Sequence, residues 1–160
     1  MGLTDPPEGA FTDPRHPKLG WRLYSIDAEK FNQPINWTKL RVDYVIPEYG
    51  SELTGESYIL EMGFERLNGV DFKKGCYVGQ EVTARMKHKT ELHKGLVKIS
   101  SEETMVNGEE LFLNDKPIGS VLTVYDRSAL AYVRLKNRDE VLSTKSTKKI
   151  FVDTNPISSN

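Results

Sequence analysis

Between His93 and Leu142 the chain is cut into short apolar runs by turn residues, and this rhythm restricts its possible folds more than any other feature. Leu96, Val97 and Ile99 form one run, Leu111 to Leu113 a second, Ile118 to Tyr125 a third and Ala129 to Leu135 a fourth. Short runs rich in β-branched side chains and bounded by turn signals fit half-buried strands, not helices. Asn114-Asp115, between the second and third runs, reads as a tight turn, because these side chains tolerate left-handed backbone. Strands this short gain stability only by joining in a sheet with a buried face. The region 93–142 is therefore predicted to be a small antiparallel β-barrel or sandwich, beginning after a boundary near Leu92. The stretch 143–160, rich in Ser, Thr and Lys, reads as a tail in which Ile150-Phe151-Val152 can add an edge strand.

Upstream the pattern changes. Residues 1–18 carry Pro6, Pro7, Pro14 and Pro17 and read as an irregular opening segment. Trp21 to Ser25 fits a short strand. Asn36 fits the N-cap of a helix running to about Val45, with Leu40, Arg41 and Tyr44 on neighbouring turns and Pro47 stopping it. Tyr49-Gly50, Thr54-Gly55 and Asn68-Gly69 break up 48–72, and a second helix is predicted from Tyr77 to about Lys87. Helices before Leu92 and strands after it make an α+β chain, with 19–92 as one unit and 93–142 as the other.

Charge and cysteine usage exclude several classes. Lys and Arg number 22 against 23 Asp and Glu, a net charge of −1, so no stable nucleic-acid or membrane partner is expected. No apolar run approaches the ~20 residues of a membrane-spanning helix. The single cysteine, Cys76, permits no internal disulfide and no all-cysteine metal site. His88 and His93 match no zinc spacing and His16 is remote, so no metal centre is expected. One free cysteine fits a reducing compartment. Met1 to Pro17 has neither the basic start nor the apolar centre of a signal peptide, and a bacterial cytoplasm is expected, with the mitochondrial matrix as alternative.

The chemistry concentrates in Phe72-Lys73-Lys74-Gly75-Cys76-Tyr77-Val78-Gly79-Gln80-Glu81. Gly75 permits a sharp turn, and Cys76 then falls at or just before the predicted helix start. Unpaired N–H groups there, with Lys73 and Lys74 beside them, favour the thiolate that a nucleophilic or metal-touching sulfur needs. The plainer reading is that a lone cysteine is a small buried hydrophobe and that Gln80 and Glu81 are ordinary solvated helix residues. Residues 73–94 carry six Lys or Arg against two Glu, a patch suited to an anionic tail or simply a solvated face. Trp21, Trp37 and Tyr44 suit either stacking on a flat ring or core packing.

Lys74-Gly75-Cys76-Tyr77-Val78-Gly79-Gln80-Glu81, continued by Val82, Ala84 and Arg85, resembles the K-G-C-[FY]-x-G-Q-E signature of YgfZ-type proteins. Asp13-Pro14-Arg15 followed by Leu19-Gly20-Trp21-Arg22 is similar to a second family segment, and Leu40-Arg41 through Ile46-Pro47-Glu48 to a third. The resemblance covers about residues 12–142. It implies the C-terminal portion of a cloverleaf fold like that of the glycine-cleavage T-protein, an aminomethyltransferase. It also implies tetrahydrofolate in a central cavity and a role in assembling or repairing iron–sulfur enzymes, including those that modify tRNA. The residues it marks for chemistry are Cys76, Lys74 and Glu81. Those it marks for the cofactor are Arg41, Asp43, Tyr77, Gly79, Gln80 and Arg85.

Two positions depart from that pattern: Asp43 stands where the family has glutamate, and Val45 where it has glycine. The family's N-terminal portion has no counterpart here, so the chain alone is expected to bind tetrahydrofolate weakly or not at all. An accessory factor, working with iron–sulfur assembly proteins or client enzymes and with a separate N-terminal half, fits the resemblance better than a classical enzyme. One rival is a folate-dependent aminomethyl transferase, although such enzymes lack the cysteine signature. The other is a binding module or degenerate fragment without chemistry.

Overall fold

The structure, a computed structural model, describes residues 5–26, 34–88, 92–137 and 139–153. Two short strands come first, β1 (Phe11–Thr12) and β2 (Trp21–Arg22), paired antiparallel with Phe11 opposite Arg22. A 3-10 turn, Pro17–Leu19, joins them, and the His16 ring caps it by accepting from the Lys18 N–H at 3.1 Å. Helix α1 (Trp37–Tyr44) starts as the sequence predicts, with Asn36 Oδ1 accepting from the Lys39 N–H at 2.9 Å.

Val45, before Pro47, ends α1. It adopts left-handed backbone at φ 51°, and the Ile46 N–H returns to the Arg41 carbonyl at 2.9 Å. Glycine is the usual residue at such a cap, and a β-branched one costs about 1–2 kcal/mol there. Val45 is buried, which offsets that cost through its apolar contacts.

Residues 58–69 form successive turns that bury Leu60, Met62 and Leu67. Helix α2 (Gln80–His88) follows, and none of its residues is buried. Six strands complete the described chain: β3 (Lys94–Ser100), β4 (Glu110–Leu113), β5 (Lys116–Tyr125), β6 (Ser128–Arg134), β7 (Leu142–Thr144) and β8 (Lys149–Val152). They close a barrel in the order β3-β6-β5-β4-β7-β8, and β8 returns to β3 through the Ile99–Val152 pair.

This corrects the division at 142. The stretch read as a tail, 143–160, supplies most of β7 and all of β8, the latter where Ile150-Phe151-Val152 was expected to add a strand. Without these strands β3 and β4 would each present an unpaired edge. The Ser, Thr and Lys content hid a two-residue alternation in which Leu142 and Thr144 point inward and Ser143 outward.

Inside the barrel lie Ile99, Leu111, Val121, Val133, Leu142 and Ile150, with the small Ala129 and Ala131. On the outer surface of β6, Leu130 is equally buried, because Val42 of α1 and Val45 at its end pack on it beside Leu96, Leu122 and Tyr125. The turn segment is tied down by Glu61, whose carboxylate accepts from the Tyr132 hydroxyl and whose carbonyl accepts from the Leu96 N–H at 2.9 Å. Among the described residues no helix is long and apolar enough to cross a membrane.

Candidate functional site

An open cleft of about 500 Å³ lies between the β1–β2 hairpin and α1. The hairpin wall carries Arg15, Trp21, Arg22 and Tyr24; α1 and the residues after it carry Trp37, Arg41, Ile46 and Glu48. Both tryptophans of the chain therefore line this cleft, one from each wall. Tyr44, weighed with them as a stacking residue, lies instead against His16, with ring centroids 4.3 Å apart.

The hairpin wall is organised by Asp13, which is buried. Its carboxylate accepts from Arg15 Nε at 3.0 Å, from Arg15 Nη2 at 2.8 Å and from Arg22 Nε at 2.7 Å. Burial acts to raise the Asp13 pKa, but the bonds from Arg15 and Arg22 prevail and hold it far below the usual carboxylate range. One carboxylate between two guanidiniums leaves a surplus positive charge on this wall. Both arginines stay about one-third exposed, with N–H groups to spare for an anion.

Arg41 is differently placed. Its Nη1 donates to Glu48 and its Nη2 to Glu52 and to Thr123 Oγ1 of β5, the last at 3.3 Å; Nε reaches the Ile46 carbonyl at 3.4 Å. The Glu52 carboxylate is fully buried and also accepts from the Glu48 N–H at 3.0 Å and from the Thr123 hydroxyl. Most of the Arg41 fork is thus committed to fastening α1 and its following turn to the barrel. Asp43 does not line the cleft; it pairs with Lys39 and, at 2.8 Å, with Lys98 of β3. Burial acts to raise the Asp43 pKa, and the two lysines overcome it and lower the value.

The cysteine motif occupies a separate surface. Every residue from 71 to 79 is exposed, and Cys76 carries a free, exposed thiol. Helix α2 begins at Gln80 instead of Tyr77, because Gly79, at φ 88°, breaks the chain direction just before it. Cys76 consequently stands outside the first turn, beyond the short reach of helix-end N–H groups that the sequence reading gave it. Lys73 and Lys74 remain as neighbours, and Lys74 Nζ lies 6.0 Å from the centre of the Tyr77 ring. Gln80 Oε1 accepts from the Tyr77 N–H at 3.2 Å, and Glu81 pairs with Arg85 on the exposed face of α2. Val78 is fully exposed and Val82 half exposed beside them. Among the described residues no group of three or more His, Cys, Asp and Glu is arranged to hold a metal ion.

Sequence reasoning missed Asp13, Arg15, Arg22, Glu48 and Glu52 as site residues. For the first three a signal existed: one acidic residue flanked by two arginines within the Asp13-Pro14-Arg15 and Leu19-Gly20-Trp21-Arg22 segments. Glu52 carried none, since its burial depends on Thr123, 71 residues away in the chain.

Residues 93–157 match the family described as the CAF17, C-terminal beta-barrel domain, and the closed six-stranded barrel lies within them. Over these residues the barrel is similar to that domain. Similarity to curated proteins extends upstream of it. The chain is 37% identical over 98 residues to the mitochondrial iron-sulfur cluster assembly factor IBA57 of Mus musculus, a match covering 56% of this chain and 27% of that protein. To the IBA57 of Homo sapiens it is 37% identical over 92 residues, covering 52% of this chain and 26% of that protein. A shorter match, 34% over 53 residues, links 33% of the chain to 17% of the tRNA-modifying protein YgfZ of Aliivibrio fischeri. The chain spans about a quarter of the length of these two IBA57 proteins. The barrel carries α1 on its outer surface, and with α1 one wall of the cleft.

Proposed function

We propose that the chain works as the C-terminal part of an accessory factor for iron–sulfur cluster assembly, with Cys76 as its point of contact with the cluster being moved. The observation that carries this reading is the free, exposed thiol in a nine-residue exposed stretch, within the Lys74–Glu81 signature. The relatives named as iron-sulfur cluster assembly factors support it. One thiolate cannot hold a cluster alone, so Cys76 acts with ligands from an assembly protein or client enzyme. The same names favour a mitochondrial location over a bacterial cytoplasm.

The test is a chimera in which the matched stretch of the mouse relative is replaced by that of this chain, expressed in cells lacking their own factor. The chimera is expected to restore iron–sulfur enzyme activity, and Cys76→Ser to abolish the rescue without lowering the amount of folded protein. Full rescue by the serine variant would leave Cys76 a solvated loop residue and remove the chemical half of the reading.

The cleft fits a folate in chemical type: two tryptophans for a flat ring, Glu48 for ring donors, and Arg15 and Arg22 for an anionic tail. Tetrahydrofolate supplies one-carbon carrying capacity when bound; these residues only hold and orient it. With walls from the hairpin and α1 alone, much of the ligand would stay in water. Calorimetry with tetrahydrofolate is expected to give a Kd weaker than about 0.1 mM for the chain by itself. Micromolar binding would show that the cleft is complete without a further wall.

A further inference from the structure

His16 has no part in the proposed contacts with cluster or folate, yet it is a buried titratable side chain linking the turn between β1 and β2 to the end of α1. Its ring stacks on Tyr44, the last residue of α1, at an interplanar angle of 22°. Its Nδ1 accepts from the Lys18 N–H, so the neutral ring carries its proton on Nε2. Two residues earlier, the Pro14 carbonyl accepts from Asn68 Nδ2 at 2.7 Å and ties this wall to the turn segment.

The charges that act on His16 are cations. Lys18 lies on its own turn. Arg66 approaches from the turn segment and is held in place, donating to the Tyr44 carbonyl at 3.1 Å and the Val45 carbonyl at 2.6 Å. Arg66 caps α1 and is partly buried, so it cannot swing away from a second positive charge without uncapping the helix. From α1 the facing group is the Tyr44 ring.

We propose that His16 is a proton-operated latch on the cleft: neutral, it holds the β1–β2 wall against α1 with Trp21 and Trp37 on opposite sides; protonated, it lets that wall go. Protonation of Nδ1 turns the acceptor of the Lys18 N–H into a donor pointing at a donor, and places a charge in a buried site beside Arg66. The attraction of a protonated ring for the Tyr44 face opposes release. Burial first, then Arg66 and Lys18, nonetheless hold the His16 pKa below its ordinary 6.5. The docked wall thus prefers the neutral ring. Its contribution is complete above pH 6.5 and is lost as pH falls through the lowered value.

The latch regulates the cleft proposed above for a folate, but its test needs no ligand. The two tryptophans are the reporters, and only three histidines are present to titrate. Emission and acrylamide quenching are followed from pH 8 to 5 on the whole chain, with circular dichroism of the barrel recorded in parallel. The expected result is a red shift and increased quenching, half complete below pH 6.5, while the barrel signal stays constant. His16→Asn keeps an N-cap acceptor without a titrating ring and should lose the transition. The His88→Gln/His93→Gln double variant should keep it. A transition that survives His16→Asn, that is absent from the natural chain, or that coincides with loss of the barrel signal overturns the proposal. None of these outcomes depends on whether tetrahydrofolate binds at pH 8, so the latch and the folate reading fail separately.

Discussion

Replacing Arg41 by methionine is expected to destabilise the chain by about 3–5 kcal/mol, the range for removing one partner of a buried ion pair. The Glu52 carboxylate has no exposed side-chain surface. It loses the guanidinium and keeps only the Glu48 N–H and the Thr123 hydroxyl. Two neutral donors do not compensate a charge that water cannot reach. Urea unfolding followed through the barrel signal would show the loss as a fall in midpoint of about 2 M, given a slope of about 2 kcal/mol per molar for a domain of this size. A second variant separates charge from packing. Arg41→Met combined with Glu52→Leu removes both charges and should recover most of the loss, because buried pairs are often no better than apolar residues of similar volume. If Arg41→Met alone costs less than about 1 kcal/mol, the pair is no stronger than a surface salt bridge and the fastening role is wrong.

This expectation changes how Arg41 is read. The family resemblance placed it at the cofactor, and it does line the cleft, but most of its donors are already used. A sequence motif records that a residue type is needed at a position, not which way its donors point. Asp43 makes the same point, since its carboxylate turns to Lys98 of the barrel. Local signals were legible wherever the physics is local. Asn36 capped the predicted helix, and the short apolar runs after His93 became β3 to β6. Signals failed where the deciding contact is distant. Strand β7 is held by closure of the barrel, not by its own composition, and Glu52 is buried by a hydroxyl on β5; only the Ile150-Phe151-Val152 strand of that region was legible, and it is β8. The start of α2 was misplaced for a different reason. Gly79 reads equally well as a small helix residue and as a left-handed break, and its φ of 88° decides for the break.

Gly119→Ala is expected to cost about 3 kcal/mol or more, beyond the usual range for an added methyl group, because the clash is with backbone. Gly119 on β5 faces Val133 on β6. An added Cβ would lie 2.2 Å from the Tyr132 carbonyl oxygen and 2.9 Å from Val133 Cα. Strand β6 cannot retreat, since on its other side Val133 faces Gly95 of β3, and that strand is packed in turn against Leu135 and the Glu61 carbonyl. Nor can β5 retreat, because it is bonded to β4 and the barrel is closed. The remaining response is to break the β5–β6 ladder near its end, which would open the barrel beside the Glu61–Tyr132 contact. Two comparisons isolate the clash. Gly55→Ala adds the same methyl group in open space without left-handed backbone and should change stability by less than about 0.5 kcal/mol. Gly108→Ala, also in open space but at φ 82°, should cost about 1 kcal/mol from backbone strain alone. The three urea midpoints should therefore fall in the order Gly55→Ala, Gly108→Ala, Gly119→Ala. A Gly119→Ala protein as stable as the Gly55→Ala protein would mean that β5 and β6 do not approach as closely at this position as the geometry requires.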